Sequence, residues 1–154
     1  MADLRIVADD LAGEAIARLI AFHLSEMRRW SPPDQVHAMP HERLAQPDVA
    51  FFSAWQGKEL AGCGALKQLA PDHGELKSMR VAPAFLRRGV GEAILLHLMG
   101  EANRRGYNRL SLETGKPEPF HAAQALYAKH GFTECAKFGD YLGDDFSLYL
   151  SRTL

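Results

Sequence analysis

The sequence predicts an α+β fold, a central mixed β-sheet with helices on both of its faces, and three observations predict it. Residues 49–81 hold successive β-rich runs broken by glycine-containing turns. Segments at 14–27, 91–105 and 120–130 carry apolar residues at helical spacing. From Glu75 to Leu95 a short strand, a basic loop, two glycines and an amphipathic helix follow one another. With 154 residues, 47% of them apolar and 24% charged, the chain is expected to form one domain, residues 1–154, that folds without staples.

Each element has its own reason. Leu4–Ala8 alternates as an opening strand, and Asp9 and Asp10 supply N-cap oxygens after it. From Glu14 to Met27, Ile16, Leu19, Ile20, His23 or Leu24, and Met27 line one inward face. Ser31-Pro32-Pro33 stops that helix near Trp30, because proline lacks the N–H and restricts the residue before it. Residues 31–48 carry at most a short helix at His41–Gln46. Val49–Trp55, a Gln-Gly-Lys turn and Glu59–Lys67 read as an antiparallel hairpin. Gly62 and Gly64 leave one stripe of its second strand bare, which suits a bulge or a close backbone neighbour.

The turn Pro71–Gly74 delivers the strand Glu75–Val81. In the next helix Ile94, Leu95, Leu98, Met99 and Ala102 share a face, and Gly106 stops it. Leu110–Thr114 is a further strand, and Phe120–His130 a further helix carrying Ala123, Leu126 and Tyr127. The tail from Phe132 to Leu150 is expected as a strand pair split by the polar loop Gly139–Asp145. The sheet thus opens as a meander and closes in β-α-β-α-β units.

Composition narrows the function classes. A net charge of −1 and a pI of about 6.6 argue against a nucleic-acid partner, which calls for a basic face. Cys63 and Cys135 lack CxxC spacing, as expected of a reduced, cytoplasmic protein. No apolar signal core follows the first residues, and no run approaches the ~18 apolar residues of a membrane span, so no membrane partner is expected.

The junction from Glu75 to Leu95 gathers free backbone N–H groups and the positive end of a helix dipole at one point, where a phosphate or pyrophosphate binds. Rival motifs fit less well. Gly89-Val90-Gly91-Glu92-Ala93-Ile94 is a partial GxGxxG, but Ala82–Arg88 separates strand from glycines and Ile94 fills the third glycine position. No Gly-Lys-Ser/Thr follows, which excludes a P-loop. His37 and His41 have the spacing of a metal pair, yet Pro40 between them opposes a regular helix, and no metal is expected. Cys63, between glycines and without a partner, reads as a core thiol.

Leu86-Arg87-Arg88-Gly89-Val90-Gly91 resembles the phosphate loop of the Gcn5-related N-acetyltransferase (GNAT) family. That loop is written as Arg or Gln, two variable residues, Gly, a variable residue, then Gly or Ala. Leu86 departs from the pattern at its first position, which removes a side-chain contact but not the backbone cradle. Ala123-Gln124-Ala125-Leu126-Tyr127 with Gly131-Phe132 is similar to a second family element, although Phe120 replaces its usual opening Asn. Ser31-Pro32-Pro33, Val36-His37-Ala38, Gly62–Leu66, Lys77–Arg80 and Leu110–Gly115 resemble the YsnE-type branch of small bacterial members.

The resemblance implies a GNAT-type sheet, acetyl-CoA as co-substrate with no metal, and acetyl transfer to an amine in a ternary complex without a covalent enzyme intermediate. It implies that the strand around Met79, Arg80 and Val81 pairs with the pantetheine arm. The N–H groups of Arg87, Arg88, Gly89, Val90, Gly91 and Glu92 would hold the pyrophosphate, and Ala123 would line the donor site. Arg87 and Arg88 are otherwise solvated loop cations. Glu75 is either the general base or a strand-end carboxylate in a turn. Tyr127 stands where the family's tyrosine meets the departing sulfur; otherwise it is a buried helix tyrosine with one hydrogen bond. Glu113 either binds a cationic acceptor, shares base duty, or is a solvated strand end. Arg80, on the opposite face from Met79, is a substrate anchor or a cross-strand ion-pair partner. Trp30, Ser31 and His37 fall in the segment that walls the acceptor pocket. The expected acceptor is a small-molecule amine; a protein or peptide amine, and a non-catalytic acyl-CoA-binding module, are the alternatives. A homodimer through edge strands is also expected.

Overall fold

The computed structural model describes residues 3–154, which build one seven-stranded sheet. In chain order the elements are β1 (Leu4–Ala8), α1 (Glu14–Trp30), α2 (His41–Leu44), β2 (Val49–Gln56), β3 (Glu59–Ala70), β4 (His73–Val81), α3 (Val90–Arg104), β5 (Arg109–Gly115), α4 (His121–Lys129), β6 (Thr133–Glu134) and β7 (Ser147–Thr153). Their spatial order is β1-β2-β3-β4-β5-β7-β6. Only β4 and β5 pair in parallel. The mixed sheet expected from the sequence is the one that forms.

Strand alternation sorts the core into two layers. Phe52, Leu66, Leu76, Leu110, Leu112 and Leu150 pack on one face beneath Ile94, Leu95 and Leu98 of α3. Phe51, Cys63 and Ala65 pack on the other against Ile16, Leu19 and Ile20 of α1 and Leu44 of α2. The bare stripe of β3 is where α3 comes close. A Cβ on Gly64 would lie 2.8 Å from Ile94 Cγ2 and 2.9 Å from Leu98 Cδ1.

One expectation needed correction. The tail forms a strand pair, but a shorter one than expected: β6 has two residues, and the chain leaves the sheet over Cys135–Phe146 rather than Gly139–Asp145 alone. Phe138 and Tyr141 pack edge-on against Tyr149, with ring centroids 5.9 and 5.5 Å away, and these aromatic contacts hold the segment over the sheet rather than in its ladder. The expected β-α-β-α-β order closes the sheet as β4-α3-β5-α4-β6, with β7 inserted antiparallel between β5 and β6.

The sheet splits at its centre. β4 and β5 pair from His73↔Arg109 to Leu76↔Leu112 and no further. Beyond that point β4 follows β3 as far as Val81, while β5 follows β7 as far as Gly115. At the split β4 carries a bulge: Cys63 pairs with Arg80 and Ala65 with Lys77, so Ser78 and Met79 oppose Gly64 alone. Ser78 takes a left-handed φ of 53°. The extra residue reverses the alternation. Glu75 and Lys77 face α1, whereas Met79 and Val81 turn to pack with the α3 core.

Candidate active site

A cavity of about 350 Å³ occupies the split. One side is walled by Met79, Ala123 and Tyr127, the other by His23, Trp30, Ser31, His37, Lys77, Arg80 and Glu113, with Tyr141 contributed by the tail. Of the residues singled out in the sequence, the cavity thus gathers Tyr127, Met79, Arg80, Ala123, Trp30, Ser31, His37 and Glu113. Glu75, Val81 and Arg87–Glu92 are not among its lining residues.

Val81 and Arg87–Glu92 lie next to it, where β4 hands over to α3. A Cβ on Gly91 would sit 3.4 Å from Val81 Cγ2, which sets the start of α3 against the end of β4. Gly89 is the N-cap of α3 at φ 77°, and Arg87 is also left-handed at φ 63°. No side chain caps the helix. Among the described residues, no intramolecular acceptor meets the N–H of Arg87, Arg88, Gly89, Val90, Gly91 or Glu92, and the first α3 bond into the loop is Ala93 N–H to Gly89 O at 3.0 Å. Six consecutive donors at the positive end of a helix dipole suit a pyrophosphate. The side chains nearby are occupied otherwise: Glu92 binds Lys129 and His130 at 2.7 Å each, and Arg88 stacks over Phe85 at 5.3 Å.

Tyr127 is buried beneath this loop, and its hydroxyl points at Met79 Sδ, 3.8 Å away. Burial, reinforced by Glu113, pushes its phenol up to about 12, so the group stays protonated at neutral pH. On the other strand Glu113 projects into the cavity. Burial raises its carboxyl above the usual range, against the opposing pull of His37 and Lys77.

Glu75 is sealed beneath this chamber at 1% exposure. Tyr141 donates to its Oε2 at 2.6 Å, Lys77 lies 3.5 Å from the same oxygen, and Lys77 also donates to the Tyr141 hydroxyl at 2.7 Å. Its route to a substrate therefore runs through Tyr141. His37 is bound to Asp144 at 2.9 Å, and Lys77 donates to the His37 carbonyl at 3.3 Å. Burial works against the Asp144 charge, but the bonds from His37 and Ser147 hold that carboxyl below its usual range. His41 turns away to the Leu11 carbonyl at 2.8 Å, so the two histidines do not converge. Cys63 is buried, its thiol pushed up to about 12 by burial.

Sequence reasoning missed Lys77, Ser78, Tyr141, Asp144 and His23 as site residues. Lys77 was within reach, standing two positions from Glu75 on the same strand face. His23 sits at helical spacing in an apolar stripe and reads as core. Tyr141 and Asp144 lie in the polar tail loop, where no periodicity marks them. Ser78 Oγ is buried without a hydrogen-bond partner among the described residues.

Comparison with known proteins agrees with this geometry. The model of the acetyltransferase (GNAT) family matches residues 18–132. The uncharacterized N-acetyltransferase YsnE of Bacillus subtilis is 46% identical over 151 residues, 98% of this chain and 100% of that protein. The uncharacterized N-acetyltransferase YedL of Escherichia coli is 50% identical over 149 residues, 97% of this chain and 94% of that one. A solved Klebsiella pneumoniae structure, classed as an acyl-CoA N-acyltransferase, is 26% identical and superposes with a TM-score of 0.78, covering 98% of this chain and 97% of its own. A Bacillus subtilis acetyltransferase solved in complex with CoA shares the fold at 19% identity and a TM-score of 0.69, covering 99% of each chain. Family model, near-full-length relatives and a split sheet with an open helix N-terminus agree: the chain belongs to the GNAT family and is an acyltransferase of the N-acetyltransferase type.

Proposed function

We propose that residues 1–154 act as one domain that moves the acetyl group of acetyl-CoA to the amine of a small molecule by direct attack in a ternary complex. The observation that carries this reading is the cavity across the split sheet, with Tyr127 on one wall, Glu113 on the other and the open N–H row adjoining it. The cavity's modest volume, about 350 Å³, and its walls from α1 and the tail favour a small acceptor over a peptide.

Bound acetyl-CoA supplies a thioester that a neutral amine can attack. In this reading the N–H groups of Arg87–Glu92 hold the pyrophosphate, and the edge of β4 that β5 abandons, Lys77–Val81, offers backbone groups to the pantetheine arm and the thioester oxygen. Glu113 takes the proton of the attacking amine as the C–N bond forms, and burial raises its carboxyl above the usual range, which makes it a stronger base than an exposed carboxylate. Tyr127 gives its proton to the sulfur as the C–S bond breaks. Glu75 supports the chamber through Tyr141 and Lys77 rather than touching the acceptor. Position and orientation supply the rest of the acceleration.

The reading extends to a cytoplasmic protein, which its two free thiols suit, and to a homodimer, which the short edge strand β6 leaves room for. The test is thiol release across an amine panel, with acetyl-CoA binding followed by calorimetry. Turnover that Glu113→Gln and Tyr127→Phe each depress at unchanged acetyl-CoA affinity is expected. Tight binding with turnover indifferent to both substitutions sinks the assigned roles.

A further inference from the structure

The cavity contains a guanidinium that no carboxylate among the described residues contacts. Arg80 lines the wall on the α1 face and makes no ion pair within 4.0 Å among the described residues. Its one hydrogen bond runs from Nε to His23 Nδ1 at 2.9 Å. Both terminal nitrogens are left with donors to give. Glu26, on α1 beside the same cavity, attracts the Arg80 charge through space but makes no ion pair with it within 4.0 Å, and its contact is with Arg29 at 3.7 Å. Lys77, the other cation on this face, is already committed to Tyr141, the His37 carbonyl and Glu75.

The choice of His23 as the partner is informative. Burial first, and then the nearby charges of Arg80 and Lys77, depress its pKa to about 3, so the ring is neutral and Nδ1 accepts. A neutral acceptor fixes the orientation of the guanidinium without cancelling its charge, which an aspartate in the same place would do. The Phe22 ring, 5.7 Å from the guanidinium carbon, braces it further. A half-buried cation with an oriented fork that no carboxylate contacts is arranged for a planar anion. That anion is not the pyrophosphate, whose donors lie beyond Val81 on the α3 side, whereas the bulge at Ser78 leaves Arg80 on the α1 side with Glu113's half of the chamber.

We propose that Arg80 binds a carboxylate of the acceptor, so that the acceptor is an amino carboxylate whose amine faces Glu113, and that His23 is the positioning residue for the guanidinium. This rests on the acetyl-transfer reading above and narrows its substrate class.

The test uses matched acceptor pairs, each amino acid against the amine left by its decarboxylation, with thiol release as the readout. The wild-type protein is expected to favour the carboxylate member by at least ~10-fold in kcat/KM, the scale of a charge-assisted pair. Arg80→Gln is expected to collapse that ratio toward unity, chiefly by raising KM for the carboxylate member, with acetyl-CoA affinity unaltered. His23→Leu should erode the ratio several-fold and His23→Asn, which retains an acceptor near Nδ1, should restore much of it. Equal use of both members by the wild type, or equal losses on both from Arg80→Gln, overturns the inference and leaves acetyl transfer standing. If no acceptor is turned over, calorimetry of N-acetylamino acids with the CoA-loaded protein separates the two claims. Binding that Arg80→Gln abolishes keeps the anion site and sinks the transfer reading; no binding sinks both.

Discussion

The two sides of the cavity are made of different material. In the proposed reading the donor half joins Met79 and Tyr127 of the cavity wall to the adjoining junction of β4 and α3, Val81–Glu92, and most of what that junction offers is backbone N–H. The acceptor side is assembled from side chains on α1, the 31–38 segment, β4, β5 and the tail, tied together by His37–Asp144, Lys77–Tyr141 and Tyr141–Glu75 bonds of 2.9, 2.7 and 2.6 Å. A backbone cradle tolerates side-chain replacement, so the proposed reading accommodates Leu86 where the family's loop pattern has Arg or Gln. A side-chain chamber changes its specificity with each replacement.

That contrast can be broken by substitution. The largest effect is expected on the acceptor side: Glu113→Gln should lower kcat by about 10²–10⁴-fold with acetyl-CoA affinity unaltered, the range for loss of a positioned base. A pH profile sharpens the assignment. Because the raised carboxyl must lose its proton to act, kcat/KM should climb with pH through an apparent pKa above the ordinary carboxylate range, and Glu113→Gln should erase that limb.

Next in size is the donor backbone. Gly89→Val forces a β-branched residue into φ 77° and should weaken acetyl-CoA binding by about 10- to 100-fold in calorimetry. The space for its Cβ is open, so any loss comes from backbone strain and not from a clash. Tyr141→Phe removes the hydroxyl between Lys77 and Glu75, and about 1–3 kcal/mol of stability should go with it in denaturant titrations, with acetyl-CoA affinity intact. The smallest effect belongs to the exposed loop cations. Arg87→Ala or Arg88→Ala should raise the acetyl-CoA dissociation constant only about two- to five-fold, and less at high salt. A loss on Arg87→Ala as large as that on Gly89→Val defeats the claim that the donor side is backbone-built.

Legibility in the sequence follows the same division. The start of α3, its apolar face and the two glycines are local features, and the structure has them where the residues put them. The bare stripe at Gly62 and Gly64 announced a close neighbour, though not that the neighbour was α3. Glu75 looked available because a strand end reads as exposed; Tyr141, 66 residues later, closes it off. Met79 and Glu75, an even number of residues apart, belong on one face by simple alternation, and only the bulge at Ser78 separates them. A positive φ at serine has no signature in composition or periodicity.

The sequence by itself determined the order of elements, the mixed sheet and the glycine-bearing turn into α3. Each depends on φ preference, side-chain periodicity or hydrogen-bonding capacity within about twenty residues. Tertiary structure alone decided where β4 and β5 part, which carboxylate reaches the cavity, and that His23, 57 residues before Arg80, orients its guanidinium. Those outcomes depend on strand register and on packing between segments distant in the chain. Register is an equilibrium of the whole sheet, not a property of any one strand.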